Sequence, residues 1–141
     1  NINKVKFRYV CCIYPVAPFI SHIDIIDGFK KINRNKWMFV FSAVQSTFPI
    51  YRSFNQQKNK SINMNFPKFY SKRTQDLKKT YFDAGQFYWG TNKAWLKYNN
   101  LFKSYSSIIE IPYWRAVDVD TKEDWKNAEF INKNLNNINE K

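Results

Sequence analysis

From Arg8 to Tyr14 the chain runs Arg-Tyr-Val-Cys-Cys-Ile-Tyr, β-branched and aromatic without strict alternation. That pattern predicts a strand buried on both faces of a parallel sheet, and Pro15 and Pro18 end it. Ser21 is placed to cap a helix whose apolar positions Ile23, Ile26, Phe29 (or Ile25) and Ile32 recur at helical spacing, before Asn33-Arg34-Asn35 turns the chain. A second strand, Trp37 to Val44, follows. Strand, helix, strand is a crossover unit, which sets the two strands parallel with the helix packed on the sheet.

The middle of the chain changes character. Residues 45–79 are polar, rich in Asn and Lys and punctuated by Pro49 and Pro67. They are expected to leave the sheet as an excursion, with Tyr51-Arg52-Ser53-Phe54 as an edge or hairpin strand. Strand-like composition returns from Phe82 to Trp89, Asn92 to Tyr98 fits a short helix, and Ser107 to Ile111 is an apolar strand ended by Pro112. Thr121 to Leu135 carries the clearest helical pattern. Thr121 with Asp124 makes a capping-box start, and Trp125, Ala128, Ile131 and Leu135 fall on one face. Asn136 to Lys141 has no apolar periodicity and is expected to fray. The pattern as a whole is that of one α/β domain spanning residues 1–141.

Composition narrows this further. With 44% hydrophobic and 19% aromatic residues in 141, the chain has ample core material, which excludes a disordered chain. Three Gly and five Pro exclude collagen and flexible linkers. Cys11 and Cys12 are adjacent and close no useful loop, so a reducing, cytoplasmic setting is expected. Lys4, Lys6 and Arg8 ahead of an apolar run mimic a secretion signal, but Pro15 and Pro18 break the run, no small-residue cleavage site follows Ile20, and the segment is too short to span a bilayer. No membrane partner is expected.

Lys and Arg number 23 against 11 Asp and Glu, a net charge of +12, and ten of the basic residues lie between Gly28 and Gln75 with no acid among them. Such a stretch binds anions or is a solvated face. A basic nucleic-acid module is disfavoured, because the aromatics cluster in apolar strands instead of interleaving with the lysines. Arg73 stands out for the hydrogen-bonding Gln75 and Asp76 that follow it. His22, the sole histidine, has no nucleophile pattern beside it and is expected at the surface near a helix start.

Asp118 and Asp120 stand two apart, directly before the Thr121 helix. In extended backbone both carboxylates project to one side, where they suit Mg²⁺ held with waters and substrate phosphates. Spacing alone equally allows Asp120 to assist the cap while Asp118 is solvated. The string Ala84-Gly85-Gln86-Phe87-Tyr88-Trp89-Gly90 suits either a ligand-facing strand or plain core packing.

Several segments, in order, carry a resemblance: Cys11-Cys12-Ile13-Tyr14 through Ala17-Pro18-Phe19, Phe41-Ser42-Ala43, Pro49 to Phe54, Arg73-Thr74-Gln75-Asp76-Leu77, Tyr81 to Gly90, and Asp118 to Trp125. On these the chain resembles the cytidylyltransferase family that makes CMP-activated nonulosonic (sialic-type) sugars. The resemblance implies a Rossmann-like nucleotide-sugar transferase sheet of the GT-A kind, and a homodimer in which the excursion at about 45–79 helps build the neighbour's site. It implies transfer of CMP from CTP to a nonulosonic acid with release of pyrophosphate. The aromatic string favours pseudaminic acid over legionaminic or N-acetylneuraminic acid as the acceptor. Asp118 and Asp120 match the metal-binding, catalytic aspartates, with Mg²⁺ as cofactor. Tyr14, Ala17, Pro18, Arg52, Arg73, Gln75, Asp76, Gly85 and Gln86 match substrate-binding positions, Arg73 being the cation for the sugar carboxylate. Val16 departs from the usual Thr, and Ala116-Val117 from the usual Val-Gln. The family's glycine-rich Arg/Lys nucleotide loop has no match, so an N-terminally truncated domain, inactive by itself, is expected.

Overall fold

The computed structural model describes residues 7–34 and 36–135. The first unit is strand β1 (Tyr9–Ile13), helix α1 (His22–Arg34) and strand β2 (Phe39–Gln45). The excursion supplies strands β3 (Phe54–Gln56) and β4 (Ile62–Met64), after which come strand β5 (Tyr81–Thr91), helix α2 (Asn92–Lys97), strand β6 (Ser106–Glu110) and helix α3 (Lys122–Lys133). The result is a mixed α/β domain: a four-stranded sheet in the order β1-β5-β2-β6 with flanking helices, and a separate β3-β4 ribbon.

β5 runs antiparallel to both β1 and β2, whereas β2 and β6 are parallel. β1 and β2 therefore share a direction, as the crossover reading expects, but β5 lies between them. This corrects the expectation for Arg8 to Tyr14. Among the described residues β1 lies at the sheet's edge with an antiparallel neighbour, and Val10 and Ile13 on it are exposed. An unbroken apolar run marks a strand without saying what flanks it. The strand buried on both faces is β2, where Phe39, Val40, Phe41, Ser42, Ala43 and Val44 are all buried.

α1 packs on the sheet through a narrower face than its periodicity predicts. Gly28 and Ile32 are buried, while Ile23 (58%) and Ile26 (48%) stay exposed. The reason is close approach at Gly28. A Cβ there would lie 2.8 Å from Trp89 Cδ1 and 2.9 Å from Phe87 Cε2, so the glycine lets the helix settle onto two rings of β5. The Trp89 indole N–H donates to the Ile25 carbonyl at 2.8 Å and fixes that contact. Ser21 Oγ accepts from the Ile23 N–H (3.2 Å), and His22 is exposed at the first helical position.

The Tyr51–Phe54 segment is not one strand: Ile50–Arg52 form a 3₁₀ turn and pairing begins at Phe54. Tyr51 turns inward onto Phe66 and Phe69, with ring centroids 5.6 and 4.6 Å away, which holds those residues in the turn. At the far end Thr121 and Asp124 form the full capping box of α3. On the helix itself Ala128 is buried but Trp125 is exposed, its indole bonded to Glu129 at 3.1 Å. Both cysteines are free. Among the described residues no helix is long and apolar enough to cross a membrane. Lys4 and Lys6, the Asn35 end of the predicted turn, and the tail 136–141 lie outside the described residues.

Candidate active site

The site begins with an irregularity in the central ladder. Phe41 pairs with Tyr88 but Ala43 pairs with Asp83, so two residues along β2 span five along β5, and three extra residues bulge out. Each piece of the bulge has a local cause. Gly85 takes φ +62°, open to glycine without strain. Asp83 Oδ1 accepts the Gly85 N–H at 3.0 Å, an Asx turn. The fully buried Ser42 hydroxyl accepts the N–H groups of Gln86 (3.2 Å) and Phe87 (3.4 Å), which the broken ladder would otherwise orphan.

The bulge forms one wall of a cavity of about 820 Å³, which Tyr14, Arg52, Asp83, Gly85, Tyr88 and Asp118 help to line. Four of the sequence-predicted residues, Tyr14, Arg52, Gly85 and Asp118, thus meet around one space from four separate parts of the chain. Arg52 is held there by its own loop, its Nη1 donating to the Tyr70 (3.0 Å) and Lys72 (3.1 Å) carbonyls. Tyr14 packs on Tyr88 with ring centroids 5.1 Å apart. The Tyr88 hydroxyl donates to Asp83 Oδ2 at 2.6 Å. Burial, then the Asp83 hydrogen bond and charge, then Tyr14, push the Tyr88 phenol well above its ordinary pKa, so it stays protonated.

Other predicted residues fall elsewhere. Ala17 and Pro18 line a neighbouring groove of about 520 Å³ facing Val119, Trp125 and Glu129 of the α3 region. Gln86 is buried, and its Nε2 donates to the Arg115 carbonyl at 2.6 Å. Arg115 in turn is ion-paired with Asp24 and donates from Nε to the Phe19 carbonyl at 3.0 Å. Gln86 therefore belongs to the frame that clamps the Pro15–Phe19 turn against α1. Arg73, Gln75 and Asp76 sit at an exposed 3₁₀ turn and line no part of the main cavity.

Asp118 is exposed on the cavity wall, its Oδ1 accepting the Val119 N–H at 3.1 Å. Asp120 is exposed two residues on. The cap of α3 runs through Thr121 and Asp124, whose carboxylate also accepts the Asp120 backbone N–H at 3.2 Å. Thr121's side-chain and backbone hydrogen bonds hold Asp124 below the ordinary Asp pKa. Asp120 is thus held to the helix start through its backbone N–H, while the cap itself uses Thr121 and Asp124. Among the described residues no three His, Cys, Asp or Glu side chains form a metal cage. Of Asp118 and Asp120 only Asp118 lines the cavity; an exposed carboxylate there, with Asp120 two residues on, fits Mg²⁺, which keeps waters and takes phosphate oxygens as further ligands. Asp83, Tyr88 and Ser42 escaped the site prediction. The signal was present in the Asp-x-Gly spacing of an Asx turn inside a strand.

No family model matches the chain. Over 127 residues, 90% of the chain, it is 37% identical to the pseudaminic acid cytidylyltransferase of Campylobacter jejuni subsp. jejuni serotype O:23/36 (strain 81-176), and equally to that of serotype O:2 (strain ATCC 700819 / NCTC 11168). The chain is similar in sequence to pseudaminic acid cytidylyltransferases. It spans about half the length of these relatives, 55%. A Helicobacter pylori (strain ATCC 700392 / 26695) protein, named as both pseudaminic acid cytidylyltransferase and UDP-2,4-diacetamido-2,4,6-trideoxy-beta-L-altropyranose hydrolase, is 28% identical over 110 residues. That match takes in 77% of the chain and 21% of the relative. The resemblance read from the residues agrees with the names of all three.

Proposed function

We propose that the chain carries the sugar-acid and metal side of a CTP-dependent cytidylyltransferase acting on pseudaminic acid. The observation that carries this reading is the 37% identity across nine-tenths of the chain to enzymes of that name, joined to a cavity where Asp118, Arg52, Tyr14 and the β5 bulge converge. In the reaction the anomeric oxygen of the sugar acid forms a bond to the α-phosphorus of CTP, its proton is lost to solvent, and the bond to the pyrophosphate oxygen breaks. Positioning and charge neutralisation dominate such displacements. Asp118 and Asp120 would hold Mg²⁺, which when bound offsets the charge of the polyphosphate. The bulge and Tyr14 wall the sugar, and Arg52 supplies a fixed positive charge within the same cavity.

The wider reading is a Rossmann-like, GT-A-type sheet in a cytoplasmic homodimer. Exposed Phe54, Ile62 and Tyr70 on the excursion offer apolar surface for a second copy. Pairing there would carry Arg73, Gln75 and Asp76 toward the partner's cavity.

The test joins the chain to the part of the Campylobacter relative that the match leaves uncovered, and follows pyrophosphate release from CTP with Mg²⁺ and pseudaminic, legionaminic or N-acetylneuraminic acid. Release that requires pseudaminic acid, and that falls at least a hundredfold (about 2.7 kcal/mol in the barrier) on replacing Asp118 with Ala, is expected. Release without sugar, or undiminished turnover in Asp118→Ala, overturns the reading.

A further inference from the structure

Resting on that reading, we infer that Asp83 sets the hydrogen-bonding polarity of Tyr88, so that the group of the sugar acid docked there is a donor, a hydroxyl or acylamino N–H, and not its carboxylate. A phenol has one proton to give. Tyr88 gives it to Asp83 Oδ2 at 2.6 Å, and the ring is held at 6% exposure between Phe41 and Tyr14. What Tyr88 offers the cavity is oxygen lone pairs alone.

Asp83 cannot easily turn away. Its other oxygen is engaged by the Gly85 N–H at 3.0 Å, and the carboxylate sits at the foot of a bulge pinned on its far side by Ser42. Asp83 itself lines this cavity, so a ligand carboxylate set against the Asp83–Tyr88 wall would meet an acidic group and no donor from Tyr88. The carboxylate belongs on the Arg52 side, and the Tyr88 side reads a donor. Asp83 is a positioning residue, since it acts on the ligand through Tyr88.

The conservative substitution Asp83→Asn makes the idea sharp. The Gly85 N–H demands an acceptor, so the amide oxygen takes that place and the amide N–H₂ faces Tyr88. The phenol then accepts from Asn and turns its own proton into the cavity. Polarity inverts while size and turn are kept.

The experiment is calorimetric titration of the joined protein described above, carrying the unmodified chain, Asp83→Asn or Tyr88→Phe, with pseudaminic acid and with a set of analogues, each having one hydroxyl or acylamino N–H methylated. Circular dichroism confirms each fold. For the unmodified chain one analogue binds about tenfold more weakly than the parent, the loss of one hydrogen bond. Tyr88→Phe binds that analogue and the parent alike, and Asp83→Asn loses the preference for the parent, because its phenol now donates and needs no donor from the ligand. A merely structural role for Asp83 would weaken both ligands equally. If pseudaminic acid binds and both variants discriminate as the unmodified chain does, the inference is overturned while the proposed function stands. If pseudaminic acid does not bind the joined, folded protein at all, the proposed function falls and takes the inference with it.

Discussion

Gly90 sits one residue from the end of β5, paired with Val10 on one side and Phe39 on the other, and the Trp95 indole packs close against it. Its φ is not positive, so alanine fits the backbone. The obstacle is Trp95: a Cβ on residue 90 would lie 2.3 Å from Nε1, 2.7 Å from Cε2 and 2.8 Å from Cδ1. The ring has little freedom to yield. Its N–H donates to the Val10 carbonyl at 3.2 Å, and Phe39 meets it edge-on at 5.1 Å. Displacing it costs about 1 kcal/mol for the hydrogen bond and about 1 kcal/mol for the aromatic pair. Replacing glycine within a strand returns roughly 0.5–1 kcal/mol. Gly90→Ala is therefore expected to destabilise by about 1–2 kcal/mol, a drop in Tm of roughly 4–8 °C for a chain of this size. Urea unfolding with an unchanged m-value is the measurement. A double-mutant cycle supplies the decisive control: in a Trp95→Ala background the same change should be neutral or stabilising. An equal cost in both backgrounds would refute the steric account.

Ser42→Ala leaves the Gln86 and Phe87 N–H groups buried without an acceptor; a loss of about 2–4 kcal/mol in urea unfolding is expected, with faster hydrogen exchange at those two amides. Thr121→Ala removes the N-cap of α3 and should cost about 1 kcal/mol, read as lowered helical signal and Tm. Because Asp124 has a depressed folded pKa, its contribution is complete above the ordinary Asp value of 3.8 and is lost as pH falls through the lowered value. Melts of the unmodified chain should decline below about pH 4 more steeply than those of Asp124→Asn. Burial, with the neighbouring Cys12 adding to it, raises Cys11 from 9.0 to about 11, so at pH 8 its alkylation should lag a free cysteine on the order of a hundredfold, measured by mass spectrometry of timed iodoacetamide labelling.

The elements were largely legible in the sequence because each has a local cause. Thr121 and Asp124 announce α3, and the polar run 45–79 announces the ribbon. What pattern could not reach was adjacency. Nothing local in Arg8 to Tyr14 says that β5, some seventy residues on, will lie beside it, and so an edge strand reads like a central one. The same holds for the site. Asp118, Arg52, Tyr14 and Gly85 are chemically suggestive one by one, whereas the tie of Gln86 Nε2 to the Arg115 carbonyl shows only in the fold. Asp83 and Tyr88 carry their significance only as a pair, and the pair exists because the ladder between β2 and β5 breaks.

The insertion of β5 between β1 and β2 also orders events at the ribosome. A crossover unit whose strands were neighbours would close as soon as its second strand emerged. Here residues 9–45 leave the exit tunnel with a gap where their shared neighbour belongs, and Phe39 to Val44 stay uncovered on that side until Tyr81 to Thr91 follow. Contacts of such long sequence separation slow folding and lengthen exposure of an aggregation-prone strand. Synthesis therefore favours chaperone capture of the nascent β1-α1-β2 unit.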